Sequence, residues 1–204
     1  MTAVYPAALA LLLAAWLALL PAALGRLRRR VGGNAGYLLL AILAVGLTLR
    51  LSAGPAHRVY NDEFEHMDIA RQLASSGSFS TTLVGGLDGW DVRARPTWPG
   101  GHHVALAAAF KLFGSSARTA FVWSALLSSL SALFVFWAAL ELFDDERGAL
   151  AASFAWTVLP LAASYGRATD LTSSSLFWIA AALAALHARE KEPGLSLDAF
   201  AAIT

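Results

Sequence analysis

The sequence contains no cysteine and little charge. Among its 204 residues, Lys, Arg, Asp and Glu make up only 14%, against about 25% in a typical soluble domain. The absence of cysteine excludes a disulfide framework and a thiolate metal site. The formal net charge of +1 excludes a strongly basic nucleic-acid binder, so we expect no nucleic-acid partner. The P-loop, GxGxxG, HExxH and GxSxG motifs are also missing from the sequence.

Hydrophobic residues are correspondingly abundant, at 57% of the chain, and they form blocks of membrane-spanning length. We predict an all-α, polytopic membrane protein with one membrane domain over residues 1–204. About five spans are expected, at residues 3–24, 36–51, 118–143, 148–166 and 171–188, with a truncated sixth at 197–204. The apolar block at residues 104–114 is too short to span and is predicted to lie in the interface or to re-enter the membrane.

The first apolar block is followed by a dense basic cluster, Arg26, Arg28, Arg29 and Arg30. The positive-inside rule places this cluster in the cytoplasm. Residues 52–117 then form an external loop with juxtamembrane helices. We therefore expect a multi-pass protein of the bacterial inner (cell) membrane, with residues 52–117 on its external, periplasmic face. Arg50, near the end of the second span, is expected to snorkel to the interface.

The most informative stretch of the external loop begins at Asp62 and Glu63. Apolar residues then recur every three positions, at Phe64, Met67, Ala70 and Leu73. This spacing predicts an amphipathic helix on the outer membrane surface. A carboxylate in its first turn is stabilised by free backbone N–H groups and could serve as a general base. The residues alone fit a simple helix cap more readily, because Asp and Glu are common in first turns.

Histidines in the same loop suggest a metal site as an alternative. His66 lies four residues after Asp62 and three after Glu63, so the three share a helical face that could hold a divalent cation. His102 and His103 form a second candidate pair, for which anchoring at the interface is the competing interpretation. The pattern does not require a cofactor. If the protein binds one, these residues fit a divalent metal ion.

Two further segments carry arginines suited to a phosphate. Arg95 lies in a proline-rich turn, where its guanidinium could grip a phosphate or a lipid headgroup. Arg167 and Asp170 lie in a short turn that the predicted topology puts on the same external side as Asp62. This pair is either part of a substrate site or an interface anchor.

The order of these features resembles the N-terminal part of the polytopic GT-C glycosyltransferases, of the protein O-mannosyltransferase and aminoarabinose-transferase type. A membrane helix ends in Leu49-Arg50-Leu51 and is followed by Asp62-Glu63. An Arg95-Pro96 turn and a short apolar helix ending Leu112-Phe113-Gly114-Ser115 come next. The resemblance covers about residues 37–190.

This resemblance implies a sugar donor on a polyprenyl phosphate, membrane lipids as surroundings, and a glycan, lipid or protein as acceptor. It implies that Asp62 is the catalytic base, with Glu63 as its neighbour and Asp170 as an acidic position of the second external loop. Arg95 or Arg167 would neutralise the departing lipid phosphate.

The chain departs from the family pattern in two ways. The span at residues 3–24 precedes the usual first helix, and the chain stops before the usual number of helices. We therefore expect an N-terminal fragment that is inactive by itself. A non-enzymatic polytopic protein, such as a transporter piece or assembly subunit, is the alternative. The lack of ionisable residues in the middle of the predicted spans favours the enzyme.

Overall fold

The computed structural model describes residues 4–52, 61–82, 100–166, 168–169, 171–191, 198–200 and 202. Eight helices contain most of these residues. They are α1 (Val4–Arg30), α2 (Gly33–Ser52), α3 (Asn61–Ser76), α4 (Gly101–Phe113), α5 (Ala117–Phe143), α6 (Glu146–Val158), α7 (Pro160–Tyr165) and α8 (Leu171–Lys191). The prediction of an all-α, polytopic membrane protein is confirmed.

Four of the described helices are long and apolar enough to cross a membrane: α1 from Ala7, α2, α5 and α8. The fifth predicted span, residues 148–166, is divided into α6 and α7 at Leu159. Pro160 causes this break, because proline lacks an N–H group and its ring clashes with the preceding helical turn. The predicted sixth span is described only at residues 198–200 and 202, which are helical.

The centre of the bundle is the contact between α5 and α8. The side of α8 that is buried consists largely of small residues, Ala180, Ala181, Ala184, Ala185 and Ala188. Small side chains let two membrane helices approach closely, which maximises van der Waals packing where no hydrophobic driving force exists. Larger aromatic residues, including Trp137 and Phe134 of α5, fill the remaining core of the bundle.

One end of the bundle is held by charged residues. Arg30, at the end of α1, pairs with Glu141 and Asp144 at the end of α5. The backbone N–H of Gly32 donates to the carboxylate of Glu146 at 2.6 Å. The ammonium of Lys191, at the end of α8, lies 3.9 Å from the carboxylate of Asp144. The basic cluster, the α5–α6 turn and the end of α8 therefore lie together, as the predicted topology requires.

The opposite end of the bundle carries α3 and α4. Met67 and Ala70 of α3 pack with Leu106 and Phe110 of α4 and with Ala120, in the first turn of α5. Ala120 and Glu141 are separated by about 30 Å along a helix rising 1.5 Å per residue, which matches the thickness of a hydrocarbon core. The α3–α4 pair is thus one membrane thickness away from Arg30. The block at 104–114 forms most of α4, which contains 13 residues and is too short to span a hydrocarbon core.

Candidate functional site

The two acidic residues predicted as catalytic open α3. Asp62 and Glu63 lie in its first turn, and α3 runs from Asn61 to Ser76. Asp62 is exposed, whereas Glu63 is only 4% exposed. Successive side chains of a helix point about 100° apart, so one acid faces out while its neighbour faces the protein. The carboxylate of Asp62 is thus accessible at the start of α3.

The apolar face of α3 follows the predicted spacing, with one exception. Met67 and Ala70 are buried and Leu73 is partly buried, but Phe64 is 50% exposed. Met67 and Ala70 hold α3 against α4, while Phe64 lies beyond the edge of that contact. The helix is therefore fixed by its central turns, and Asp62 and Phe64 of its first turn face outward.

Three histidines meet where α3 packs on α4. Nδ1 of His66 and Nε2 of His103 are 3.0 Å apart and share a hydrogen bond. The ring centroid of His102 lies 5.7 Å from that of His66 and 5.5 Å from that of His103. All three side chains are buried. Neither ring nitrogen of His102 has a hydrogen-bond partner among the described residues.

Burial determines the protonation of this cluster. Loss of hydration holds the pKa of His102 well below its usual value, and the neighbouring His103 and His66 lower it further. Burial also lowers the pKa of His66, while the negative charge of Asp62 opposes that shift. Burial thus disfavours the charged form of both His66 and His102, and Asp62 is close enough to act on His66.

The predicted use of these residues as metal ligands finds no support in the structure. His66, His102 and His103 come together, but His66 and His103 each use one ring nitrogen on the other. Within residues 61–82 and 100–166, no group of three or more His, Cys, Asp or Glu side chains is placed to hold a metal ion. The expectation that His102 and His103 anchor the protein at the interface is wrong, because both are buried between helices.

A second buried acid of α3 was not singled out from the sequence. The carboxylate of Asp68 accepts hydrogen bonds from the backbone N–H of Thr82 at 2.7 Å and from the hydroxyls of Thr81 and Thr82 at 3.2 and 3.0 Å. Three donors on one oxygen tie the segment after α3 back onto the helix. Asp68 thereby fixes the position of the chain beside the histidine cluster.

Arg50 is also placed differently from the sequence prediction. Its side chain is 2% exposed and does not snorkel to the interface. Nε donates to the hydroxyl of Ser128 at 2.9 Å, and Nη1 donates to the carbonyls of Gly46 and Thr157 at 3.0 and 3.4 Å. Since Ser128 lies near the middle of α5, an ionisable group does lie inside the bundle. Its contacts join α2, α5 and α6, which is a structural role and gives no support to transport.

Three predicted site residues, Arg95, Arg167 and Asp170, lie outside the described residues. The structure brings together Glu63, His66, His102 and His103 at the α3–α4 contact, with Asp62 exposed above them.

Comparison with known proteins identifies the family. The model of the dolichyl-phosphate-mannose-protein mannosyltransferases matches residues 99–203. The chain belongs to this family. The family match confirms the resemblance to GT-C glycosyltransferases. It also supports the prediction of a membrane glycosyltransferase that uses a lipid-linked donor. No curated protein and no solved structure matched the chain.

The family match covers α4 to α8 and therefore includes His102 and His103 but not α3. The assignment of Asp62 and Glu63 stays a prediction. Two features of the sequence were signals of burial that the sequence analysis did not use, at His102 and His103 and at Arg50. Adjacent histidines at the start of a short apolar helix must place at least one ring against a neighbour. An arginine inside an apolar span needs polar partners, because a charge facing hydrocarbon is costly.

Proposed function

We propose that this protein acts in the transfer of a sugar from a polyprenyl-phosphate-linked donor to an acceptor at the outer membrane surface. Membership of the mannosyltransferase family supports the class of reaction and the lipid-linked donor. The placement of Asp62 supports the location. It lies exposed in the first turn of α3, at the end of the bundle opposite Arg30. That single observation carries the proposal.

In the proposed reaction Asp62 is the general base. Its carboxylate takes the proton from an acceptor hydroxyl or amine as the oxygen or nitrogen attacks the anomeric carbon of the sugar. A new glycosidic bond forms, the bond from that carbon to the phosphate oxygen breaks, and the lipid phosphate leaves with both electrons. The substitution inverts the anomeric centre. An arginine, Arg95 or Arg167, stabilises the charge on the departing phosphate.

Three buried histidines, His66, His102 and His103, lie between α3 and α4 beside this site. The buried Glu63 lies one residue away from Asp62 but faces the protein, so it is less accessible to an acceptor than Asp62. We therefore assign the proton transfer to Asp62 and a supporting role to Glu63.

The test is the turnover of a polyprenyl-phosphate-linked sugar by Asp62→Asn in membranes that contain the full-length protein. Loss of a positioned general base typically costs about 10²–10⁴-fold in rate, and Glu63→Gln should cost less. Glu65→Gln, on the same helix, is the matched control and should retain wild-type turnover. Because Asn is also a good N-cap, a role in capping predicts that Asp62→Asn is stable and fully active. That result would remove Asp62 from the mechanism.

A further inference from the structure

Charged side chains of the α3–α4 pair are separated by sign. The acids of α3 all lie in its first half, at residues 62–68. Beyond them, the described residues 69–82 and 100–140 contain three cations, Arg71, Lys111 and Arg118, and no acid. All three cations are exposed, and none forms an ion pair with an acid among the described residues. This end of the pair therefore carries positive charge that the described residues do not balance.

The packing of α3 on α4 brings these cations to one place. Nε of Arg71 donates to the hydroxyl of Ser115, in the turn between α4 and α5, at 3.1 Å. That turn separates Lys111, in the last turn of α4, from Arg118, in the first turn of α5. Lys111 also lines a cavity together with Leu73 of α3. The three cations thus lie around one short turn, beside the C-terminal half of α3.

Two large apolar side chains lie within the same cationic segment. Leu112 is 76% exposed and Phe113 is 73% exposed. The turn lies at the edge of the hydrocarbon core, because α5 begins at Ala117 and is long enough to cross a membrane from there. At that depth apolar side chains enter the acyl region, while Lys and Arg keep their charge among the headgroups. A free phosphate or an acidic protein would leave the two apolar side chains in water, whereas a bilayer surface accommodates both features.

We propose that the α4–α5 turn binds anionic phospholipids, whose headgroups contact Arg71, Lys111 and Arg118. Leu112 and Phe113 enter the leaflet beside these headgroups. The phosphodiester supplies the negative charge that the described residues lack, and a guanidinium can donate two hydrogen bonds to it. A zwitterionic lipid carries its own cation, so it matches the surface less well. Each Lys or Arg near an anionic membrane strengthens binding about fivefold. This lipid contact does not depend on the proposed sugar transfer.

The test compares two photoreactive lipids, a phosphatidylglycerol and a phosphatidylcholine, each with the same diazirine near the start of one acyl chain. Each lipid is diluted into nanodiscs that contain the purified full-length protein. Cross-links to residues 111–118, mapped by mass spectrometry, should be at least fivefold more frequent with phosphatidylglycerol. The combined variant Arg71→Gln, Lys111→Gln and Arg118→Gln should lower this preference to about one. Exchange of Arg for Lys and of Lys for Arg at these positions keeps the charge and should keep the preference.

The matched control removes three exposed cations at the other end of the bundle, by Arg28→Gln, Arg29→Gln and Arg147→Gln. It should retain the preference of residues 111–118. Equal labelling by the two lipids, or a preference that survives removal of the three cations around the turn, would overturn the proposal. Loss of the preference in excess inorganic phosphate would also overturn it, by showing a site for free phosphate.

A second measurement leaves the three cations in place. A spin label on Phe113→Cys, in this cysteine-free chain, should be more accessible to oxygen, which dissolves in the bilayer, than to a water-soluble nickel chelate. The reverse order would place the turn in water and contradict its contact with lipid.

Discussion

At the residue scale, the histidine cluster shows how burial changes what an ionisable side chain can do. His66, His102 and His103 meet between two helices, with one hydrogen bond among them and no described partner for either nitrogen of His102. A proton added to His102 would place a cation in a buried site where neither ring nitrogen has a hydrogen-bond partner among the described residues. Burial therefore favours the neutral form of His102 and makes this part of the fold sensitive to acid.

The pH dependence of stability follows from the lowered pKa of His102. The pKa of His102 in the unfolded chain is about 6.5. Below that pH the unfolded chain binds a proton at His102 that the folded chain does not bind. Stability is thus complete above about pH 6.5 and falls at lower pH by up to about 1.4 kcal/mol per pH unit. Thermal unfolding in detergent at pH 7.5 and 5.5 should show this loss for the wild-type protein.

The replacement His102→Gln should reduce the pH dependence, because the titrating group is gone. His187→Gln is the control, since His187 is partly exposed at the other end of the bundle beside Glu190. It should retain the wild-type difference between the two pH values. An unchanged difference in His102→Gln would show that the acid sensitivity arises elsewhere.

The sequence predicted which helix carries the site residues, but it did not predict how deeply each side chain is buried. The helix after Asp62 was predicted from its apolar spacing, and α3 confirms it. Spacing along one helix does not reveal which neighbour covers it, so the burial of Glu63 and the contact between His66 and His103 were not predicted. Arg50 was misjudged for the same reason, because its partners on α5 and α6 are distant in sequence.

At the element scale, Arg50 and Gly166 control how closely α7 approaches α2 and α5. A Cβ atom at Gly166 would lie 2.6 Å from Nε of Arg50 and 2.8 Å from Cβ of Ser128. Arg50 has some freedom to move, but Cβ of Ser128 moves only with the backbone of α5. The glycine therefore permits a close contact that joins the C-terminal end of α7 to the buried guanidinium.

We predict that Gly166→Ala lowers stability because it overpacks this contact. Such overpacking typically costs about 1–3 kcal/mol. Gly36→Ala in α2 is the matched control, since a Cβ there meets nothing within 4 Å. Alanine is also the better helix former, so the control should be neutral or slightly stabilising. Thermal unfolding of both variants in the same detergent compares them directly, and equal unfolding temperatures would contradict the packing argument.

The break between α6 and α7 is another feature at the scale of elements, and the sequence predicted it only in part. Pro160 was visible, and proline within a helical pattern ends or kinks the helix. Whether the chain continues as one bent span or as two helices depends on the surrounding contacts. Here α6 ends at Val158, and Leu159 has an extended ψ of 119° before α7 begins.

At the scale of the whole molecule, the two ends of the bundle have different chemistry. One end is joined by ionic contacts of Arg30 with Glu141 and Asp144, and the other carries the half-buried helices α3 and α4. Charge and helix length were enough to predict this division from the sequence. The assembly of α1, α4, α5 and α8 around common cavities was not predicted, because it depends on packing between segments far apart in the chain.

Topology can be tested because the chain contains no cysteine. Single cysteines replace three residues: Arg29 and Ser75, both exposed, and Arg147 in the α5–α6 region. With an impermeant maleimide, intact cells should label Ser75→Cys only, since α3 is expected outside and the basic cluster inside. After permeabilisation all three should react. Arg147→Cys is the internal control, because the contacts of Arg30 with Glu141 and Asp144 hold its region beside Arg29. Labelling of Arg29→Cys and Ser75→Cys from the same side would contradict the separation by one membrane thickness and move Asp62 away from the outer surface.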